Sequence, residues 1–151
     1  MQSRLFVIFL AVVLLVAMVH FVPKPLHRQL DLDNATCQVF CQNTSLAHTS
    51  VGFGKIVTTS GKQIASVLAC CDDVEGVSIR FVATEKHLSA VVNKLNLTVH
   101  TTQILGELTI LCGYSPKVVG GVWLDGHKTN VQIAFDGNTI TIGSPLILGD
   151  Y

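Results

Sequence analysis

A long apolar segment near the N-terminus limits what the rest of this chain can fold into. Leu5 to Val22, LFVIFLAVVLLVAMVHFV, is interrupted only by His20. A span of about 17–25 apolar residues is long enough to cross a bilayer. The segment predicts a transmembrane or signal helix over residues 1–22. A linker over 23–32 follows, where two prolines disfavour helix, and a single domain over 33–151 completes the chain.

The apolar segment is either an uncleaved membrane anchor or a secretory signal that is removed. A signal usually has a shorter apolar run and ends at a small-x-small cleavage site, and no convincing triplet of that kind follows this run. An anchor is therefore favoured. It predicts a single-pass protein of the cell membrane with its domain outside the cytosol, whereas cleavage would give a secreted domain. Asn-x-Ser/Thr triplets at Asn34, Asn43 and Asn96 agree with export, but they matter only in an organism that glycosylates.

The charge of the predicted domain argues against nucleic-acid binding. After residue 28 the chain has seven Lys and Arg against ten Asp and Glu, a net charge of about −3. A protein that binds nucleic acid needs a cationic surface that displaces counterions from the phosphates. We therefore expect no nucleic acid as a partner. The expected partners are the membrane, through Leu5 to Val22, and a protein of the cell envelope.

Five cysteines leave the pairing of thiols in the domain open. They are Cys37, Cys41, Cys70, Cys71 and Cys112. An odd number cannot be fully paired within one chain, so small buried hydrophobic residues are the favoured interpretation, and at least one disulfide is the alternative. The sequence lacks the Cys-x2-Cys spacing of zinc sites, and its six histidines form no His-x-x-His pair. We therefore predict no metal and no cofactor.

Hydrophobic patterning in the first half of the domain predicts a helix, a strand and a second helix. An N-cap candidate at Asp33 or Asn34 precedes Ala35, Val39 and Phe40 at helical spacing, which predicts a short helix. The stretch TSVGFGKIVTTSG alternates around Val51, Phe53 and Val57 and is closed by Ser60-Gly61, which predicts a strand. The apolar stretch KQIASVLACC fits a one-sided helix slightly better than a strand.

The middle of the domain has clearer signals. Gly76 to Thr84 alternates apolar residues with Ser78 and Arg80, which predicts a strand. Thr84 is then the N-cap of a helix whose apolar stripe runs from Leu88 to Leu95. Two strand candidates, LTVHTTQ and ELTILCGYS, are separated by Gly106, and a turn-rich connection, KVVGGVWLDGHK, follows.

The last stretch of the chain, TNVQIAFDGNTITIGSPLILGDY, predicts a β-hairpin. Val131, Ile133 and Phe135 alternate with polar or small residues, and Asp136-Gly137-Asn138 supplies a tight turn. Each strand has one apolar face, and the helix stripe is its natural cover. The predicted fold class is therefore α+β, a curved antiparallel sheet with helices packed on one face.

The residues of this final region resemble the YwmB-like family over residues 113–151. Its members are exported or membrane-anchored proteins of Firmicutes with a TATA-box-binding-protein-like fold and no assigned biochemical role. The family pattern is an aromatic followed by Ser/Thr-Pro, a segment Asn-x-x-x-Ala, and a closing Thr-x-x-x-Gly-Thr/Ser-Pro with a terminal Tyr. The matching residues are Tyr114-Ser115-Pro116, Asn130, Ala134, Thr139, Gly143-Ser144-Pro145 and Tyr151. The resemblance implies the same fold and a link to sporulation.

No residue of the sequence predicts catalysis. Asp72, Asp73 and Glu75 form an acidic cluster without the ligand spacing of an EF-hand loop, so a solvated turn is favoured. A nucleophilic thiol at Cys112 would want a nearby histidine or helix N-terminus, and the sequence indicates neither. Trp123 is the best candidate for an exposed recognition aromatic, although a hydrophobic lid on one end of the sheet is favoured. We assign no catalytic, cofactor-binding or metal-ligating residue.

Three functions remain open at this point. The first is a membrane-anchored extracytoplasmic binding or scaffold domain of the bacterial cell envelope, which recruits a partner with the free face or an edge strand of its sheet. The second is an exported enzyme whose catalytic residues converge only in three dimensions. The third is a secreted eukaryotic or viral glycoprotein.

Overall fold

The structure is a computed structural model, and it describes residues 2–20, 22–52 and 54–148. For residues 2–6 and 17–20 it describes the backbone only. Phe53, which the strand pattern used, and Tyr151, which the family resemblance used, lie outside the described residues. Part of the predicted anchor, including Phe21, lies outside them too.

Ten strands form two sheets in the described part of the chain. The large sheet has eight strands in the order β2-β3-β1-β4-β10-β9-β6-β5, and all neighbours are antiparallel. The small sheet pairs β7 with β8. The strands are β1 (Thr36–Thr44), β2 (Thr49–Val51), β3 (Gly54–Ser60), β4 (Cys71–Val82), β5 (Thr98–Leu105), β6 (Leu108–Tyr114), β7 (Val122–Leu124), β8 (His127–Thr129), β9 (Val131–Phe135) and β10 (Thr139–Ser144).

Three α-helices accompany the sheets: α1 (Gln2–His20), α2 (Ile64–Leu68) and α3 (Glu85–Leu95). The predicted α+β class with a large antiparallel sheet is confirmed. Within the described residues, no helix has both the length and the apolar character that a bilayer crossing requires. The transmembrane role of Leu5 to Val22 stays a prediction.

The main core lies on one face of the large sheet, which we call the core face. Cys37, Ile79, Ile142 and Ile133 are neighbours in one row across β1, β4, β10 and β9, and each is fully buried. Helix residues belong to the same buried cluster, namely Ile64 and Val67 of α2 and Val91 and Leu95 of α3. The apolar stripe predicted for α3 therefore lies in the same core as the hairpin, and burial of such side chains stabilises the fold by about 1.5–3 kcal/mol each.

The helix predicted after Asp33 is wrong, because this segment forms β1. Cys37, Val39 and Cys41 are buried while the residues between them are less so. A spacing of two residues therefore decides the structure, and the helical spacing of Ala35, Val39 and Phe40 is coincidental. Cys37 and Cys41 lie on the same, buried face of β1.

Other predictions for the first half of the domain hold in part. The strand that ends at Ser60 is confirmed as β3, but its N-terminal portion folds back as the separate short strand β2. The helix predicted over KQIASVLACC is confirmed only as the five residues of α2. Cys71 already belongs to β4, which pairs with β1 along its length.

The best-marked elements of the sequence are confirmed. Thr84 precedes α3, and its backbone N–H donates to Nδ1 of His87 at 3.0 Å. Asn96, with a φ of 49°, ends the helix in the left-handed conformation. In the C-terminal hairpin, Gly137 has a φ of 93°, and the Asp136 carboxylate accepts the backbone N–H groups of Asn138 and Thr139 at 2.9 and 2.7 Å.

The predicted linker is in contact with the domain. Leu26, in a short 3-10 turn (Leu26–Arg28), is 2% exposed and belongs to the main core. The backbone N–H of Lys24 donates to the carbonyl of Lys117 at 2.9 Å, and the amide of Gln29 donates to the same carbonyl at 2.7 Å. The 23–32 segment therefore docks on the loop that follows β6.

A fully buried asparagine holds that loop in place. The Oδ1 of Asn130 accepts the backbone N–H of Ser115 at 2.7 Å. Its Nδ2 donates to the carbonyls of Ser115 and Val118 at 2.8 and 2.7 Å. The Ser115 hydroxyl in turn donates to the carbonyl of Leu95 at the end of α3. Asn130 thus links the loop to the start of β9, and Ser115 links the loop to the helix.

Replacing this asparagine should destabilise the domain strongly. We expect Asn130→Ala to lower the free energy of unfolding by roughly 3 kcal/mol, because three buried backbone groups each lose a hydrogen bond. Urea denaturation followed by circular dichroism measures the change. Asn93→Ala, at an exposed position on α3, is the control and should change the free energy by less than about 0.5 kcal/mol. Equal effects of the two substitutions would contradict the proposed role of Asn130.

Candidate binding site on the open face of the sheet

The second face of the large sheet, which we call the open face, is divided into two halves. Its rows are read from the strand register. One row consists of Thr36, Arg80, Thr141, Ala134 and Ile110. The adjacent row consists of Gln38, Ser78, Gly143, Gln132 and Cys112. In both rows β1 and β4 carry polar side chains, whereas β9 and β6 carry mostly apolar ones.

The apolar half is covered by the C-terminal segment 145–148. Ile147 forms a small buried cluster with Ile110 and Ala134. Its backbone N–H donates to Oε1 of Gln132 at 2.9 Å. A Cβ at Gly143 would collide with the backbone of Leu146 and Ile147, so only glycine lets this segment lie on the sheet. The segment fixes one boundary of the site.

The polar half forms a cavity of about 340 Å³. Its described lining consists of Thr36, Gln38, Ser78, Arg80 and Thr141. Residues directly opposite on neighbouring strands have Cβ atoms about 4.5–5.5 Å apart, so these five side chains lie close together by register. Two other cavities in the described part of the chain, of about 190 and 160 Å³, have walls richer in apolar residues.

The hydrogen-bonding groups of this cavity have no partner within the described protein. None of the five side chains forms a side-chain hydrogen bond with another described residue. Ser78 is 3% exposed, and its Oγ is the buried polar side-chain atom that lacks a partner among the described residues. A buried hydroxyl without a partner costs about 1–3 kcal/mol. The polar groups of these five side chains are therefore not used by the described part of the chain.

Arg80 supplies the positive charge of the cavity. It is the only arginine after residue 28. Backbone N–H groups of Asn138 and Thr139, with a further contribution from the charge of Arg80, hold the pKa of the Asp136 carboxyl below its usual range. No carboxylate is among the five described residues of the wall. A group with a negative charge would therefore meet a complementary site.

The acidic cluster and the cysteines do not form a site in the described structure. Asp72, Asp73 and Glu75 are exposed, and no group of three or more His, Cys, Asp or Glu side chains among the described residues could hold a metal ion. The thiols of all five cysteines are free. Burial raises the pKa of the Cys37 thiol to about 11. Burial and a hydrogen bond with Cys71 raise that of the Cys41 thiol to about 11.

Cys112 lies among apolar neighbours, not in a nucleophilic environment. It packs against Ile110, Ala134 and Ile147. Burial raises the pKa of its thiol, and a hydrogen bond with Gln132 opposes this shift. A raised pKa keeps the sulfur in its unreactive protonated form at neutral pH. No histidine is among the described neighbours in this cluster.

Two surface features lie away from the cavity, on and beside the small sheet. Trp123 in β7 is 74% exposed, so the expectation that it covers one end of the sheet is wrong. His100 and His127, which are distant in the sequence, stack with ring centroids 4.9 Å apart. Nε2 of His100 lies 3.1 Å from the carbonyl oxygen of Lys128. These rings brace the small sheet against β5.

Sequence reasoning did not identify the cavity. Ser78 and Arg80 were recognised only as the polar side of a strand. The patterning predicts a helix at Thr36 and Gln38, and a strand of the hairpin at Thr141. These residues belong to β1, β4 and β10, whose order in the sheet differs from their order in the chain. The available signal was a serine and an arginine that alternate with apolar residues in the second half of β4.

Comparison of the chain with protein-family models, with curated proteins and with solved structures gives no match. The resemblance to the YwmB-like family and its TATA-box-binding-protein-like fold therefore stays a prediction.

Removing the hydroxyl of Ser78 should stabilise the ligand-free domain. We expect Ser78→Ala to raise the free energy of unfolding by about 1 kcal/mol, because it removes a buried polar group that has no partner. Chemical denaturation in urea measures the change. Ser50→Ala on β2, where the serine is exposed, is the matched control and should be neutral. A loss of more than about 1 kcal/mol in Ser78→Ala would mean that the hydroxyl has a partner in the protein.

Proposed function

We propose that the chain is a membrane-anchored extracytoplasmic binding or scaffold domain of the bacterial cell envelope, and that it binds its partner with the open face of the sheet. The observation that carries this proposal is the cavity of five polar side chains whose hydrogen-bonding groups have no partner among the described residues. A surface of this kind suits recognition, since unmatched polar groups gain most from a ligand that pairs them.

Attachment to the membrane is supported by the apolar segment Leu5 to Val22. The ten side chains from Val7 to Val16, all apolar, are exposed on α1. A helix with apolar residues on all sides avoids water by entering a core or a bilayer. Insertion of α1 in a bilayer would satisfy this requirement and leave the domain, which begins close to Pro23, at the membrane surface.

The resemblance to the YwmB-like family supports the placement in a bacterial envelope and, through the family, a link to sporulation. It also suggests a finer description of the fold as TATA-box-binding-protein-like, with the helices on one face and the open face as the concave binding surface. On this proposal the partner is a protein or other envelope component, and not DNA, because the domain is slightly acidic.

An edge strand offers a second place for contact. β5 is an outer strand of the large sheet. Its last two residues, Ile104 and Leu105, are 71% and 61% exposed. An exposed edge of this kind can accept a partner strand. β9 and β6 separate it from β10, the nearest strand that lines the polar cavity, so a partner bound there would not need the cavity.

The position of the domain can be tested with a native cysteine. Cys70 is exposed, so a maleimide that does not cross membranes should label it in intact cells from which the outer wall layers have been removed. The Cys70→Ser variant controls for labelling of the other thiols. Deletion of residues 1–22 should abolish the labelling until the cells are lysed. Labelling of the full chain only after lysis would rule out the extracytoplasmic placement.

Contact through the open face can be tested by site-specific photocrosslinking in membranes. A photoreactive amino acid in place of Thr36, at the exposed wall of the cavity, should form an adduct of defined mass. The same amino acid in place of Ser66, exposed on α2, should not, because α2 lies on the core face. Adducts from Ser66 but not from Thr36 would contradict binding by the open face. Adducts from a third probe at Ile104 alone would assign the contact to the edge strand.

Two alternative functions have their own signatures. An exported enzyme would require catalytic groups around the cavity, and its five described residues include a serine but no histidine, cysteine or carboxylate. A secreted glycoprotein would carry glycans on Asn34, Asn43 and Asn96, all of which are exposed. Glycans on these residues in the native host would favour a secreted glycoprotein over a protein of the bacterial envelope.

A further inference from the structure

We propose that the polar cavity of the open face binds the carboxylate of a small hydroxylated acid, about the size of a monosaccharide, with Arg80 as the charged partner of the carboxylate and Ser78 as a neutral hydrogen-bond partner. This inference rests on the proposed function, in that it assigns a ligand class to the same open face.

The composition of the cavity wall selects a negatively charged ligand. The five described side chains comprise one guanidinium, one amide and three hydroxyls. The guanidinium only donates hydrogen bonds, whereas the amide and the hydroxyls can both donate and accept. A cationic ligand would therefore meet Arg80 without a compensating carboxylate in this wall. An anionic ligand pairs with it.

The single charge of the wall favours a carboxylate over a phosphate. The fork of an arginine side chain can bind a carboxylate or a phosphate in a bidentate geometry, so the charge of the ligand decides between them. A phosphate monoester carries about −1.5 to −2 charges at neutral pH, and the described wall offers only one positive charge against it. Asp136 lies close enough to Arg80 for the two charges to interact, and this proximity further disfavours a dianion. A monoanion is the best electrostatic match.

The neutral groups and the volume define the rest of the ligand. Ser78, Thr141 and Gln38 are at least partly buried, so their polar groups gain most from a partner that excludes water. Hydroxyl groups on the ligand can both donate to and accept from them. A volume of about 340 Å³ lies at the lower end of the range of about 300–1,000 Å³ for small-molecule pockets. The ligand is therefore a single hydroxylated ring or a chain of similar size.

The test uses the full chain in detergent micelles and three probes: glucuronate, glucose and inorganic phosphate. Glucuronate and glucose share a ring and differ mainly in the carboxylate. We expect glucuronate to shift backbone amide resonances of β1, β4 and β10 in two-dimensional NMR spectra, and glucose to bind at least about tenfold more weakly. Equal binding of glucose and glucuronate, tighter binding of phosphate, or shifts confined to other strands would each overturn the proposal.

Variants assign the binding to the named residues. Arg80→Gln should weaken glucuronate binding by about tenfold or more, and Arg80→Lys by less, because it keeps the charge but loses the fork. Ser78→Ala should weaken binding several-fold while the protein remains folded. Arg28→Gln, outside the described lining of the cavity, is the control and should leave binding unchanged. Thermal unfolding of each variant verifies the fold, and unchanged binding in a folded Arg80→Gln variant would overturn the assignment.

The two proposals fail in different ways. Glucuronate binding without an adduct from Thr36 in membranes would support the carboxylate site and contradict the binding of an envelope partner by the open face. Adducts from Thr36 without any response to glucuronate would keep the open face as a contact surface and overturn the carboxylate site.

Discussion

The side chain of Asn130 is the interaction on which the geometry of the domain most depends. It is completely buried and uses its acceptor and both donors on the backbone of the loop after β6. Through Ser115 the same loop holds the last turn of α3, and through Lys117 it holds the segment that follows α1. A buried amide that is fully paired stabilises one arrangement over all others, because any shift leaves polar groups unmatched in a region of low dielectric. The position at which β9 begins is fixed in this way.

The start of β9 determines the open face. β9 pairs with β10 on one side and β6 on the other, so its register sets which residues face the helices and which face away. The segment 145–148 then returns over Gly143 and covers the apolar part of the open face. The polar part contains the cavity lined by Thr36, Gln38, Ser78, Arg80 and Thr141. Several positions of the sequence resemblance, among them Ser115, Asn130 and Gly143, thus have local structural roles that are independent of any family assignment.

The sequence predicted those parts of the fold in which local signals and tertiary structure agree. The strand of Ile79, the helix from Thr84 and the terminal hairpin each combine a clear period with a cap or turn residue, and all three are confirmed. The helix predicted around Val39 is wrong because the segment has only a few apolar residues, and their spacing suits a helix as well as a strand. Only the pairing with β3 and β4 selects the strand. The cavity could not be predicted, because it depends on β1, β4 and β10 lying side by side. Strand order in an antiparallel sheet is a non-local property that no window of sequence contains.

Two buried serines of the domain, Ser78 and Ser115, differ in whether their hydroxyls have hydrogen-bond partners. Both serines are buried, and both lie in or next to strands of the same sheet. Ser115 is bonded to the carbonyl of Leu95 and to the backbone N–H of Lys117. Ser78 has no partner in the described chain.

The fold can supply partners for a buried serine, as the two hydrogen bonds of Ser115 show. An alanine at position 78 would remove the unpaired hydroxyl at almost no change in volume, so the serine brings no benefit to the ligand-free domain. Groups that reduce stability are expected where function requires them. On our proposal, the partner of the Ser78 hydroxyl is a ligand that binds in the cavity beside Arg80.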